Sequence, residues 1–322
     1  MKTAARCLIF ICFWSIESLL FAQSKVLTFM PQWLPQAQFA GYYMALEKGF
    51  YEKEGLQVQI IHPNTSRIAT ESLKKKEVDL ISLFLVTAIT AKENGVNLVN
   101  VGQISQNSAL MIVAKKNKNI NSINDLQQKK VGIWKSGFDE IPRAFMAAHH
   151  IQVNWIPILS SINMFIENGV DTMTVMSYNE YDQIINAGFN PDELTVFRFS
   201  DLGFNIVEDG IYALDSTREM KAIEIKKFVR ATLKGWEYAE KNREETILVV
   251  LEWMKKEHVP TNYAHQRWML EQMLLLLKSS NPNILKGQLS EYDYNKAQQV
   301  LFQNGVIQIK IPFQSFYKPV VK

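Results

Sequence analysis

The sequence predicts an α/β protein of two lobes joined by a two-strand hinge, with a helical C-terminal region. Three observations carry that expectation. Short β-branched, apolar runs alternate with stretches of helical spacing. The order strand, helix, strand recurs in two separate units. Nearly everything after Thr217 has helical periodicity.

The first unit opens with Val26 to Met30, a short apolar strand, followed by helical spacing from Phe39 to Lys53 and by the alternating strand Leu56 to Ile61. Gly49 and Gly55 supply positions that accept positive φ, and Lys48 and Lys53 complement the carbonyl end of the helix. A second helix over Arg67 to Lys76 leads into a strand at Val78 to Leu83. This βαβαβ run argues for a parallel sheet covered by helices on both faces.

The second unit repeats the order: strand Lys130 to Trp134, helix Asp139 to His149, strand Ile151 to Ile156, and a helix ending in IENGVD before the strand Thr172 to Met176. IQVNWI resembles the earlier LQVQII, and Val170-Asp171 stands where Val78-Asp79 stands in the first unit. Such recurrence fits two similar lobes, although short matches also follow from shared strand and helix grammar. Between the units, an apolar strand and a polar Asn- and Lys-rich stretch leave one lobe for the other. The run EDGIYALDS, with a crossing near Glu208 to Tyr212, brings the chain back. The expected organisation is therefore residues 1–22 as an export signal, 23–114 with 208–322 as the first lobe, and 115–207 as the second. Two crossings make a hinge, which suits closure around a small molecule.

The N-terminus reads MKTAARCLIFICFWSIESLLFAQ: a basic start, an apolar run and a small residue near Ala22, the layout of a cleaved secretory signal. A retained anchor needs about 20 uninterrupted apolar residues, and Ser15, Glu17 and Ser18 interrupt this run. Cys7 and Cys12 both lie in the segment, so a mature chain has no cysteine for disulfides, thiolate metal sites or nucleophiles. Neither stands in a lipid-attachment context. Removing two cations and one anion with the signal changes the formal charge from +3 to +2. With 322 residues, 47% hydrophobic and 21% charged, and with cations and anions interspersed, nothing points to nucleic acid or an anionic membrane surface.

The familiar catalytic signatures do not occur. The sequence has no GxSxG, Walker A loop or GxGxxG after a strand, and His62, His149, His150, His258 and His265 form no i, i+4 pair, so no metal is expected. The adjacent acids Asp139-Glu140 and Glu208-Asp209 are read as helix N-terminal charges or solvated groups rather than acid/base pairs. The amphipathic C-terminal helices, including WMLEQMLLLL, are read as core or covering faces.

Clefts in open α/β sheets form beyond the carboxyl ends of strands, so the residues directly after each strand are the informative ones. These are Trp33, Gln38 and Tyr42 after the first strand, and Phe84 after the third. In the second unit they are Trp134 with the loop Ser136, Gly137 and Asp139, then Tyr178, Asn179 and Glu180. Aromatics, amides and a few acids suit a flat heterocycle, because rings stack while amides and carboxyls read ring nitrogens and amino groups.

Taken together, WLPQAQFAGYYMALEKGFYEKEGLQVQI, KKEVDLIS, YNEYDQIINAGFNPDELTVF, and EDGIYALDS followed by FVRATLKGWEYAEKNREETI resemble the NMT1/THI5-like substrate-binding proteins of ABC importers. The resemblance implies a type II periplasmic binding protein fold closing on thiamine pyrimidine precursors, riboflavin or other small nutrients. It also implies that Trp33 stacks the ligand with Tyr42 nearby. Ser136 to Asp139 would hold it from the second lobe, Tyr178, Asn179 and Glu180 would read its edge, and Glu208-Asp209 would sit at the hinge. Gln38 stands where pyrimidine binders often have histidine. The group also contains pyrimidine synthases that consume a histidine of their own with pyridoxal phosphate and iron. Leu83 and Thr87 stand where those have lysine and histidine, and DLGFNIV lacks their cysteine cluster. The expectation is thus a periplasmic, monomeric, non-enzymatic binder without cofactor. Its partners would be a small-molecule ligand and an ABC permease, or, on the alternative reading, a membrane sensor kinase.

Overall fold

The computed structural model describes residues 26–134, 139–159, 161–279 and 281–320. The expected export signal, residues 1–22, and the loop residues Ser136 and Gly137 lie outside these. Two five-stranded mixed sheets form the two lobes. The first contains β1 (Leu27–Met30), β2 (Val58–Ile60), β3 (Leu80–Phe84), β4 (Leu98–Gln103) and β10 (Asp209–Leu214), in the order β2-β1-β3-β10-β4. The second contains β5 (Leu110–Lys115), β6 (Lys130–Trp134), β7 (Asn154–Ile158), β8 (Thr172–Met176) and β9 (Leu194–Arg198), in the order β7-β6-β8-β5-β9.

The parallel pairs that the βαβ pattern predicts are present, β1 with β2 and β3, and β6 with β7 and β8. Each sheet also holds one antiparallel strand: β10 between β3 and β4, and β5 between β8 and β9. The reason is directional. β1 and β3 run toward the gap between the lobes, whereas a strand entering from the other lobe must run away from it. For the same reason the division expected at residue 114 does not follow strand membership. The strand Leu110–Lys115, all but its last residue placed by the sequence in the first lobe, is hydrogen-bonded along its length within the second sheet. Its alternation splits its side chains between two cores, with Ile112 and Ala114 in the larger cluster and Met111 and Val113 in the smaller.

The crossings are residues 104–109 and 199–208. Neither is a strand, contrary to the expected two-strand hinge, and side chains tie them together. Ser105 Oγ accepts from Glu208 N (3.2 Å) and Asp209 N (2.7 Å). Asn205 Oδ1 accepts from Ser108 N (2.8 Å), and Glu208 Oε1 accepts from Ala109 N (2.8 Å). Bonds of this kind leave the backbone free of a rigid ladder while satisfying its donors.

The expected helix Phe39 to Lys53 is two helices, Ala40–Glu47 and Phe50–Lys53, broken at Gly49, whose φ of +64° is left-handed. The first packs on the long helix Ala222–Lys241 at close range, because a Cβ at Gly235 would stand 2.0 Å from the Gly41 carbonyl oxygen. Among the described residues no helix is long and apolar enough to cross a membrane.

Candidate ligand cavity between the lobes

A cavity of about 550 Å3 lies between the lobes. The first lobe contributes the loop after β1, the end of β3 and the start of helix Tyr263–Leu276. The second contributes the end of β6 and the turn from β8 into helix Glu180–Asn186. Trp33, Phe84 and Trp134 supply flat apolar surface to its wall, and Gln38, Tyr178, Asn179 and Glu180 also line it.

An amide relay underlies the first-lobe wall. Gln36 Nε2 donates to Gln38 Oε1 (2.6 Å), and Gln38 Nε2 donates to Asp209 Oδ2 (3.0 Å). Gln32 Nε2 also donates to Asp209, while Gln32 Oε1 accepts from Phe84 N (3.0 Å). Trp33 is fixed from behind: His62 Nδ1 bonds its carbonyl oxygen at 2.8 Å, and His62 Nε2 meets Tyr43 Oη at 2.9 Å. With its Nδ1 proton on that carbonyl, His62 is neutral, and burial pulls it down to about 4. The loop that carries the ring is therefore set before any ligand arrives.

On the second lobe Glu180 is buried, its Oε2 accepting from Met176 N (2.8 Å) and its Oε1 from Asn179 Nδ2 (2.7 Å). Burial pushes Glu180 up to about 7, and Asp209 likewise to about 7. Both can thus be neutral at physiological pH and present hydrogen-bonding carboxyls rather than fixed charge.

The lobes also touch across the cavity. His265 Nδ1 lies 2.6 Å from Asp182 Oδ2, its Nε2 lies 3.2 Å from Asn179 Oδ1, and Trp268 Nε1 donates to the Ser177 carbonyl oxygen (2.9 Å).

Several expected residues sit elsewhere. Tyr42 does not line the cavity. It is buried in the first-lobe core, stacked 4.4 Å from Phe29, because one helical turn past the loop the side chain points back under the sheet. Asp139 turns to Arg143 one helical turn on, at 2.8 Å, and does not line the cavity either. Glu208 and Asp209, read from sequence as solvated, are both buried. Asp209 supports Gln38 from beneath, and Glu208 faces a separate small chamber.

The sequence reading missed Asn262, His265 and Gln266 on the cavity wall. Asn262 caps the helix through His265 N (2.8 Å), and Gln266 Oε1 accepts from Ala37 N (2.8 Å). The available signal was a polar cluster, Thr261 to Gln266, opening a helix otherwise read as a covering face.

The family model described as NMT1/THI5 like matches residues 36–246, about two thirds of the chain. This chain belongs to the NMT1/THI5-like family. A putative thiamine biosynthesis protein of Haemophilus influenzae is 31% identical over 44% of this chain, which spans 44% of that protein's length. The formylaminopyrimidine-binding protein of Halalkalibacterium halodurans is 24% identical, covering 79% of this chain and 78% of its own. The riboflavin-binding protein RibY of Chloroflexus aurantiacus is also 24% identical, over 77% and 71%. A pyrimidine phosphate synthase of Schizosaccharomyces pombe matches over only 33% of the chain. Among solved structures, the periplasmic aliphatic sulphonate binding protein SsuA of Escherichia coli superposes with a TM-score of 0.69 at 15% identity, covering 90% of this chain and 96% of its own. The desulfurization enzyme DSZB shares the fold at a TM-score of 0.60 and 11% identity, covering 91% and 96%. The NMT1/THI5-like chain therefore has the periplasmic binding protein fold, and the fold alone does not separate binders from enzymes.

Proposed function

We propose that the protein is an extracytoplasmic solute-binding component of an ABC importer that closes on a small heteroaromatic nutrient, a thiamine-type pyrimidine, and performs no chemistry on it. The observation that carries this reading is the combination of Trp33, Phe84 and Trp134 with a Gln, Asn and Glu wall in one interlobe cavity. Rings in that setting stack on a flat ligand, and the neutral amides and carboxyls read its nitrogens and amino groups. A ligand that touches both lobes favours the closed state by its differential contact, and a permease recognises that state. The relatives that bind formylaminopyrimidine and riboflavin support the chemical class. A flavin is the second reading, favoured by a volume of about 550 Å3, more than one pyrimidine ring fills. We expect the chain to act as a monomer and without nucleic acid.

The test is native mass spectrometry of freshly purified protein, followed by a melting screen against pyrimidines, flavins, amino acids and sulfonates. A ligand present at 100 times its Kd should stabilise the fold by about 2.7 kcal/mol. A response to aliphatic sulfonates or amino acids alone would sink the stacking argument. Turnover of a pyrimidine into a new product would sink the non-enzymatic part.

A further inference from the structure

Phe84, Leu110 and Met176 line both the large cavity and a second, smaller chamber of about 30 Å3 beside it. That volume admits one water-sized group. The chamber is apolar apart from Ser108 and two carboxyls, Glu208 on the returning crossing and Glu140 in the first turn of helix Glu140–Ala148. Glu208 Oε1 accepts from Ser108 Oγ (2.8 Å) and Ala109 N (2.8 Å). Its Oε2 is buried and has no hydrogen-bond partner among the described residues, and neither has Glu140 Oε2. Leaving a buried acceptor unmet costs about 1–3 kcal/mol, so two such oxygens around one chamber call for a group that brings N–H or O–H donors. Burial penalises the charged form and pushes Glu140 up to about 7 and Glu208 up to about 8, and a cation brought between them would favour the ionised, accepting form.

The shared lining belongs to both lobes. Phe84 ends β3 of the first sheet, while Leu110 starts β5 and Met176 ends β8 of the second.

We propose that this chamber is an inner subsite of the cleft that takes a primary amino or ammonium group carried by a ligand whose ring lies in the larger cavity. The inference rests on the reading of that cavity as the ligand site. A lone water could fill the same volume, but it would give the cleft no preference between an amine and its hydroxyl counterpart.

The experiment is calorimetry with paired probes: 4-amino-5-hydroxymethyl-2-methylpyrimidine against its 5-aminomethyl counterpart, and benzyl alcohol against benzylamine. The expected result is at least a tenfold preference for the amine in one or both pairs. Glu208→Gln, which keeps size and shape, should reduce that preference to within about twofold, and Glu140→Gln should reduce it in part. Circular dichroism and melting of each variant establish that it folds. Equal affinity for amine and hydroxyl, or a preference unchanged in Glu208→Gln, overturns the subsite. Binding by the benzyl pair alone, with the amine preference intact, supports the subsite while defeating the pyrimidine reading. Binding by neither pair overturns both.

Discussion

The turn after β1 and the turn after β8 each bring a strand end of their own sheet to the cavity, yet they build its wall in different ways. In the first lobe the turn after β1 lines the cavity as a loop, residues 32 to 38, and the helix that follows it belongs to the core: Tyr42 stacks on Phe29, and Tyr43 lies 4.8 Å from Trp253. In the second lobe the helix itself is the wall, with Asn179, Glu180 and Gln183 facing the cavity. The loop side is braced by partners that do not depend on closure, namely His62, Gln266 and Asp209. The helix side meets the first lobe through His265 and Trp268, contacts that exist only when the lobes are together. On the proposed reading one face is a prepared platform and the other a closing jaw, a division that would let binding energy go into closure rather than into ordering the platform.

The largest expected effect tests the core half of the first lobe. Tyr42→Ala should cost about 3–5 kcal/mol of stability, the usual range for deleting a buried aromatic, read as a lower midpoint in urea. Little loss would place Tyr42 outside the core and erase the contrast with the second lobe.

Trp33→Ala comes next and should act on the platform alone. Stacking of a base on an aromatic side chain is worth about 1–3 kcal/mol, so pyrimidine affinity should fall roughly ten- to hundredfold while the ligand-free melting temperature changes little. A large drop in melting temperature with affinity retained would make Trp33 a core residue.

That pair of outcomes also marks how far the sequence was legible. Most strands could be read because apolar runs and turn residues are local signals, and β6 and β8 match their expected bounds to the residue, whereas β4 and β9 were not anticipated. The strand-end rule located Trp33, Gln38, Phe84, Trp134, Tyr178, Asn179 and Glu180 on one cavity. What escaped was set by direction and by long-range packing. Tyr42 is close in sequence to Trp33, but helical rotation turns it inward. His265 and Gln266 reach the cavity from a helix more than 200 residues from Trp33, and no local pattern carries that. The antiparallel entry of β5 and β10 follows from the crossings, which periodicity does not report.

A smaller effect concerns the brace behind Trp33. His62 is held down to about 4, below its ordinary value near 6.5, so the unfolded chain takes up a proton before the folded one does. Its contribution to stability is complete above about pH 6.5 and is lost as pH falls toward 4. Glu180, Asp209 and Glu208 are raised and run the opposite way: their contribution is complete below the ordinary carboxylate range and is lost as pH rises through about 7 to 8. The two slopes oppose each other where they overlap, from the ordinary carboxylate range up to about pH 6.5, and above that only the falling carboxyl slope remains, so melting temperature should drop from about pH 6.5 to about 8. His62→Gln should flatten the acid slope and leave the alkaline one, at a cost of about 1–3 kcal/mol from the polar groups left unmet. An acid slope unchanged in this variant would locate its cause elsewhere.

The smallest expected effect is the most discriminating for the comparison. Tyr42 Oη is buried without a hydrogen-bond partner among the described residues, and burial together with nearby Asp209 holds its proton on tightly. Replacing an unsatisfied buried hydroxyl by hydrogen removes a desolvated group without opening a large void, so the change is neutral or slightly stabilising. Tyr42→Phe should leave urea stability within about 0.5 kcal/mol of the wild type or raise it, the size of an ordinary neutral substitution, and should leave pyrimidine affinity unchanged. A tenfold loss of affinity at unchanged stability would mean that the hydroxyl reaches into the cavity when ligand is present. The first-lobe helix would then share the wall as the second-lobe helix does, and the difference between platform and jaw would reduce to a difference in which residues move.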